Sequence, residues 1–153
     1  MYTLFYSIIR YINRYIIYTY NNKKGGDIMF INISNHPASH WGNDQLLESL
    51  KMGNCDEVTN YPFPAVPEDG DESVVDNLAE KIINDLRNLG VKAGDVAMVQ
   101  GEYTLVFRLV TSLKQLGVRC VAGCSKRNTI EEHLPDGTTV KKAFFVFCRY
   151  RDY

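Results

Sequence analysis

No glycine, alanine or proline and no acidic side chain occurs before residue 25, while tyrosine and isoleucine together fill eleven of those positions. With Asn and Lys, these are the residue types that AT-rich DNA encodes by default. Lys24-Gly25-Gly26, a short distance before Met29, is a run that a ribosome-binding sequence can encode. The expectation is that translation starts at Met29 and that residues 1–28 are leader DNA read as protein. The competing reading is an interfacial basic helix, with Leu4, Phe5, Ile8, Ile9, Ile12 and Ile16 on one face and Arg10 and Arg14 beside it. A membrane span needs about 20 mostly apolar residues, and Arg10, Asn13 and Arg14 interrupt the only candidate. A signal peptide is disfavoured too, because no small-residue cleavage site follows the apolar part. Fold reasoning therefore covers residues 29–153, a length that suits a single domain with a real core.

The usual short motifs are missing as well. The chain has no G-x-G-x-x-G, no Walker sequence, no G-x-S-x-G and no His/Asp/Glu metal signature. That removes the common nucleotide-binding and hydrolase classes and leaves no metal or other cofactor to expect. The four cysteines (Cys55, Cys120, Cys124, Cys148) form neither C-x-x-C nor a metal-ligand spacing, so a reduced, cytoplasmic setting is the expectation. Charge is also sparse on the positive side. Without the four cations and Asp27 of residues 1–28, 13 Lys and Arg face 17 Asp and Glu, a formal charge of −4. A general binder of long nucleic acid needs a basic surface to displace phosphate counterions, so that class is disfavoured. A small charged ligand in a locally basic pocket stays open.

What the chain does contain begins with Phe30-Ile31-Asn32-Ile33-Ser34-Asn35-His36-Pro37, an apolar run that breaks into small polar residues, an imidazole and a proline. Pro37 has no N–H and cannot continue a strand, so a buried strand opens here into a polar loop. Asp44 to Met52 reads as a short amphipathic helix, residues 57–61 as a weak strand, and residues 62–67, with three prolines, as an extended connection. A long helix follows from Asp71-Glu72-Ser73 to Leu89, with Val74, Val75, Leu78, Ile82, Ile83 and Leu86 at helical spacing. Asp95–Gln100 is a third strand, residues 101–104 a turn, Leu105–Leu116 a helix, and Val118–Cys124 a fourth strand ending in a Ser125–Asn128 loop. Residues 129–134 and 140–150, around Pro135-Asp136-Gly137, read as a β-hairpin. Its second strand, with Phe144 to Cys148 apolar on both faces, is expected to be covered. Alternating strands and helices imply a parallel sheet. The expected fold is α/β: a small Rossmann-like three-layer domain, its parallel sheet of about four strands capped by a C-terminal antiparallel β-hairpin.

Three polar clusters then fall at carboxyl ends of parallel strands, the edge where open α/β sheets place ligands. They are Ser34-Asn35-His36, Gln100-Gly101-Glu102-Tyr103-Thr104 and Ser125-Lys126-Arg127-Asn128. The helix after Gly101 offers free N–H groups for a phosphate, which Thr104 can also meet. Lys126 and Arg127 supply positive charge, and His36 can serve as acid, base or donor near neutral pH. Each cluster has a plainer role too: Pro37 ends a strand, Gly101 permits a turn, Glu102 suits a helix start, and Lys126-Arg127 can be a solvated loop. Trp41 reads as local packing, and His40 and His133 as surface residues.

Asn32-Ile33-Ser34-Asn35-His36-Pro37 with Trp41 and Gln45, the Gln100-Gly101-Glu102-Tyr103-Thr104-Leu105 turn, and the ending Phe145–Tyr153 resemble small single-domain CRISPR-associated Rossmann-like proteins, relatives in architecture of CARF domains and ring nucleases. The resemblance implies binding, and cleavage without metal, of a cyclic oligoadenylate second messenger by a two-fold homodimer in antiviral defence. It implies that the ligand's own 2′-hydroxyl is the nucleophile, with His36 and Lys126 or Arg127 as catalytic candidates. Ser34, Asn35, Gln100, Gly101, Glu102 and Thr104 would be ligand contacts, although the carboxylate of Glu102 departs from what a phosphate site needs. A module that senses such a nucleotide without cutting it, or a partner-binding protein, is the alternative.

Overall fold

The computed structural model describes residues 28–153. The expectations for the amino-terminal segment, Ile28 apart, lie outside the described residues.

Among the described residues five strands form one mixed sheet: β1 (Phe30–Ser34), β2 (Val58–Pro62), β3 (Val96–Val99), β4 (Arg119–His133) and β5 (Thr139–Asp152). The helices are α1 (Asn43–Gly53), α2 (Glu72–Asn88) and α3 (Tyr103–Gln115). The spatial order is β2-β1-β3-β4-β5, with β1 to β4 parallel and β5 antiparallel to β4. The strand order thus reverses between β1 and β3, because β2 lies on one side of β1 and all later strands on the other.

Residues of alternate parity along each strand face opposite sides, and both sides of this sheet are covered. On one side Ile31, Ile33, Ala97, Val99 and Cys120 meet the apolar stripes of α2 (Val75, Ile82, Leu86) and α3 (Leu105, Leu109, Leu113). On the other, Phe30, Met98, Val121 and Tyr150 form a smaller core with Trp41 and Met52, which flank or belong to α1. Each fully buried Leu or Ile contributes roughly 1.5–3 kcal/mol, so α2 and α3 anchor the larger layer. The ends of α2 follow its sequence. Asp71 caps it by accepting from the N–H groups of Ser73 and Val74, and Gly90 leaves it at φ 91°.

Two expectations are corrected. Ser125-Lys126-Arg127-Asn128 is not a loop: it lies within β4, paired with Phe144–Phe147 of β5. The fourth parallel strand and the first hairpin strand are therefore one element. Nor is the strand through Phe144–Cys148 covered, since Phe144, Phe145 and Val146 are 44%, 69% and 43% exposed. The reason is reach. β3 pairs with β4 only as far as Val121, so β4 and β5 run on as a two-stranded ribbon beyond the domain.

Candidate functional site

The site is built from the end of β1. Asn32 is 1% exposed, and its side chain is fully used. Its Nδ2 donates to the His36 carbonyl (2.8 Å) and to Asn60 Oδ1 (2.9 Å), while its Oδ1 accepts from Ser34 Oγ (2.7 Å). Asn60, its direct partner on β2, also accepts from the Ala38 N–H at 2.9 Å. Trp41 Nε1 donates to the same His36 carbonyl at 3.0 Å, and the His36 N–H donates to Ser34 Oγ at 3.1 Å. The backbone of His36 is thus held from three directions while its side chain stays exposed. A polar network of this kind fixes the loop, because each buried group has its partner.

This loop forms one wall of an open cleft of about 880 Å³ at the carboxyl ends of the parallel strands. Ser34 and His36 come from β1 and its loop, Met98 and Gln100 from β3, Gly123 and Ser125 from β4. The start of α1 (Gly42 to Gln45) and the pair Phe145 and Phe147 of β5 complete it. Gln100 Nε2 donates to the Gly123 carbonyl at 3.1 Å and ties the β3 and β4 ends together. Gly42, at the N-cap of α1, offers no side-chain acceptor, so the first N–H groups of that helix have no side-chain cap. The lining combines two imidazoles (His36, His40), one carboxylate (Asp44), neutral donors and an aromatic, thioether-bearing wall of Trp41, Met98, Phe145 and Phe147. Among the described residues no Lys or Arg lines it. Such a cleft can hold a flat, partly apolar ring by stacking and edge hydrogen bonds.

Of the residues singled out from the sequence, Ser34, His36 and Gln100 meet in this cleft, with Ser125 from the third cluster. The others do not line it. Glu102 is folded back over the start of α3, accepting from the N–H groups of Thr104 (3.0 Å) and Leu105 (2.9 Å), and Thr104 Oγ1 donates to it at 2.7 Å. Those contacts hold the Glu102 carboxyl below its ordinary value, the backbone donors first. The helix start expected to receive a phosphate is therefore occupied by a carboxylate of the chain itself. Gly101 packs against Phe63, whose ring leaves no room for a Cβ. Lys126 pairs with Val146, and Arg127 with Phe145, out along the ribbon. Arg127 shares a shallower depression with Thr129, Glu131, Lys141 and Ala143.

Sequence reasoning missed Asn32, Gln45, Met98, Phe145 and Phe147. The signal for Asn32 was present: a lone amide in an otherwise apolar buried run needs a polar partner. Among the described residues no cluster of three or more His, Cys, Asp or Glu is placed to hold a metal, and no helix is long and apolar enough to cross a membrane. No curated protein and no solved structure matches the chain. Residues 28–151, nearly all of what the structure describes, match the Uncharacterized protein MJ1673 family, and the chain belongs to that family.

Proposed function

We propose that this domain is a doubly wound, Rossmann-like module that binds an adenine nucleotide across the ends of β1 and β3, the ligand being of the cyclic oligoadenylate class. One observation carries the reading. The cleft lies where the strand order reverses, which is where open α/β sheets receive nucleotides. Its wall of Trp41, Phe145 and Phe147 suits base stacking, and Ser34, Gln45, Gln100 and Ser125 can meet base edges and ribose hydroxyls. The start of α1 offers N–H groups to a phosphate. The short-motif resemblance supplies the ligand class, the CRISPR-associated defence role and the homodimer. The free thiols suit a reducing, cytoplasmic setting.

Cleavage in this reading needs no metal. The ribose 2′-oxygen bonds to the adjacent phosphorus while the P–O5′ bond breaks, leaving a 2′,3′-cyclic phosphate and a 5′-hydroxyl. The 2′-proton goes to a base and the 5′-oxygen gains a proton, and His36 is the lining group suited to either transfer. Lys126 and Arg127 drop out of the catalytic set because they lie outside the cleft. A second reading, sensing without cleavage, is favoured by the lack of Lys and Arg among the described lining residues, since a phosphorane's charge would then rest on the α1 start, neutral donors and the imidazoles.

The test is incubation of the protein with cyclic tri-, tetra- and hexa-adenylate in EDTA, with chromatography of products and calorimetric binding in parallel. Cleavage that falls about 10²–10⁴-fold in His36→Ala, with binding retained, supports the enzyme. Binding without products supports the sensor. Neither binding nor products for any ring size ends the nucleotide reading.

A further inference from the structure

The ribbon formed by the outer halves of β4 and β5 is poorly accounted for by the domain alone. Among the described residues, β4 pairs from Ser125 to His133 only with β5, and its other edge, vacated by β3, is open. Two-stranded ribbons are marginal in water, whereas three or more strands are stable. Open edges with unpaired N–H and C=O groups are templates for another strand.

The two edges of the ribbon differ in charge. β5 carries Lys141, Lys142, Arg149 and Arg151 and a single acid, Asp152, which is already paired with Arg119. Self-pairing along β5 about Phe145 sets Lys141 against Arg149, a like-charge contact that disfavours it. The open edge of β4 reads Lys126-Arg127-Asn128-Thr129-Ile130-Glu131-Glu132. Turned antiparallel on itself about Thr129, it sets Lys126 opposite Glu132 and Arg127 opposite Glu131, each twice by symmetry, with a Thr–Thr pair at the centre. Directly opposed residues share a face, so each pair is in contact range. Within the chain Glu131 and Glu132 already meet Lys141 and Lys142, but among the described residues Lys126 and Arg127 have no acidic partner.

We propose that a second copy of this chain docks along the open edge of β4, two-fold about Thr129, to make a continuous four-stranded β5-β4-β4-β5 sheet. This is independent of the ligand reading of the cleft: it uses a different edge and survives if no nucleotide binds. The interface is isologous, as two-fold dimers require, and gives Lys126 and Arg127 their missing partners. The same register sets Ser125, at the cleft, opposite the partner's His133, so the partner's hairpin turn comes to the cleft rim.

Charge reversal tests the register. The protein and the variants K126E/R127E and E131K/E132K are compared by sedimentation equilibrium, each alone and then mixed. The parent is expected to be a dimer. Each variant alone faces like charges at all four contacts, and its dissociation constant should rise at least ten-fold. The mixture restores opposite charges at all four contacts and should recover the dimer. Circular dichroism of each variant checks folding, and a Thr129→Cys variant, oxidised and mapped by mass spectrometry, should yield the 129–129 disulfide. A monomeric parent, or a dimer that both variants keep alone, overturns the proposal, as does a mixture no tighter than its components when both variants are folded.

Discussion

Ser49 Oγ on α1 and the Tyr150 hydroxyl on β5 lie 2.7 Å apart, both buried, though 101 residues separate them in the chain. Ser49 also donates to the Gln45 carbonyl at 2.7 Å, so Tyr150 is the donor to Ser49. The pair closes the smaller core, where the Tyr150 ring packs on Phe30 and Phe147 with centroids 5.5 and 4.9 Å away. Removing the Ser49 hydroxyl takes away the acceptor of the buried Tyr150 hydroxyl, and removing the Tyr150 hydroxyl leaves Ser49 with the Gln45 carbonyl alone. Ser49→Ala and Tyr150→Phe should each lower stability by about 1–3 kcal/mol. The double variant should lose less than the sum, measured by urea unfolding.

Asn32 holds the His36 carbonyl and Asn60 at once, so Asn32→Ala should free both the loop and its β2 tether. The expected loss is about 1–3 kcal/mol. Hydrogen exchange separates this effect from a general loosening. The amides of His36 and Ala38, which donate to Ser34 Oγ and Asn60 Oδ1, should exchange faster relative to those of α3.

A Cβ on Gly101 would sit 2.5 Å from atoms of the Phe63 ring. Gly101→Ala should therefore cost about 1–3 kcal/mol by overpacking, seen as a lower melting temperature. Pairing it with Phe63→Leu should cost less than the two single losses added. If Gly101→Ala alone melts with the parent, Phe63 is not fixed against the turn.

Glu102 sets a pH dependence. Its folded pKa lies below the ordinary value of 4.5, because the Thr104 and Leu105 N–H groups and the Thr104 hydroxyl bond the carboxylate. The stabilisation is thus complete above about pH 4.5 and is lost as pH falls through the lower folded value. Glu102→Gln keeps the shape but not the charge, so its melting temperature should approach that of the parent as the pH drops below that window. A gap between the two that stays constant from pH 6 to pH 3 would remove Glu102 as a charged cap.

The layers were legible because burial writes periodicity into sequence. Val99 and Val121, expected in central strands, are both fully buried, and Asp71, Gly90 and Gly117 mark helix ends as their chemistry demands. The Ser125–Asn128 segment was misread because small polar residues signal a loop only where strands are otherwise buried. On this part of β4 the side chains of Ser125, Lys126 and Arg127 are exposed, so polar residues there carry no burial penalty and the strand takes on the composition of a turn. The site was half legible for the same reason. Ser34, His36 and Gln100 announce themselves as polar residues after buried strands, whereas Phe145 and Phe147 look like core until the ribbon is seen to leave the domain.

Between Cys124 and Ser125 the β4–β5 register slips by one: Cys124 faces Arg149, Ser125 faces Phe147, and Cys148 is the unopposed residue. This bulge works as a parity switch. Tyr150, an even position, and Phe147 and Phe145, both odd, are brought to the same side of the sheet, one into the core and two onto the cleft wall. Were Cys148 to take the place opposite Ser125, the bulge would vanish and odd would exchange for even from Phe147 back toward Thr139, turning both phenylalanines away from the cleft. Deletion of Cys148 keeps Phe147 opposite Ser125 and both phenylalanines on the cleft wall, whereas deletion of Val146 sets Phe145 opposite Lys126 and turns it away, so the second deletion should be the more damaging to the cleft.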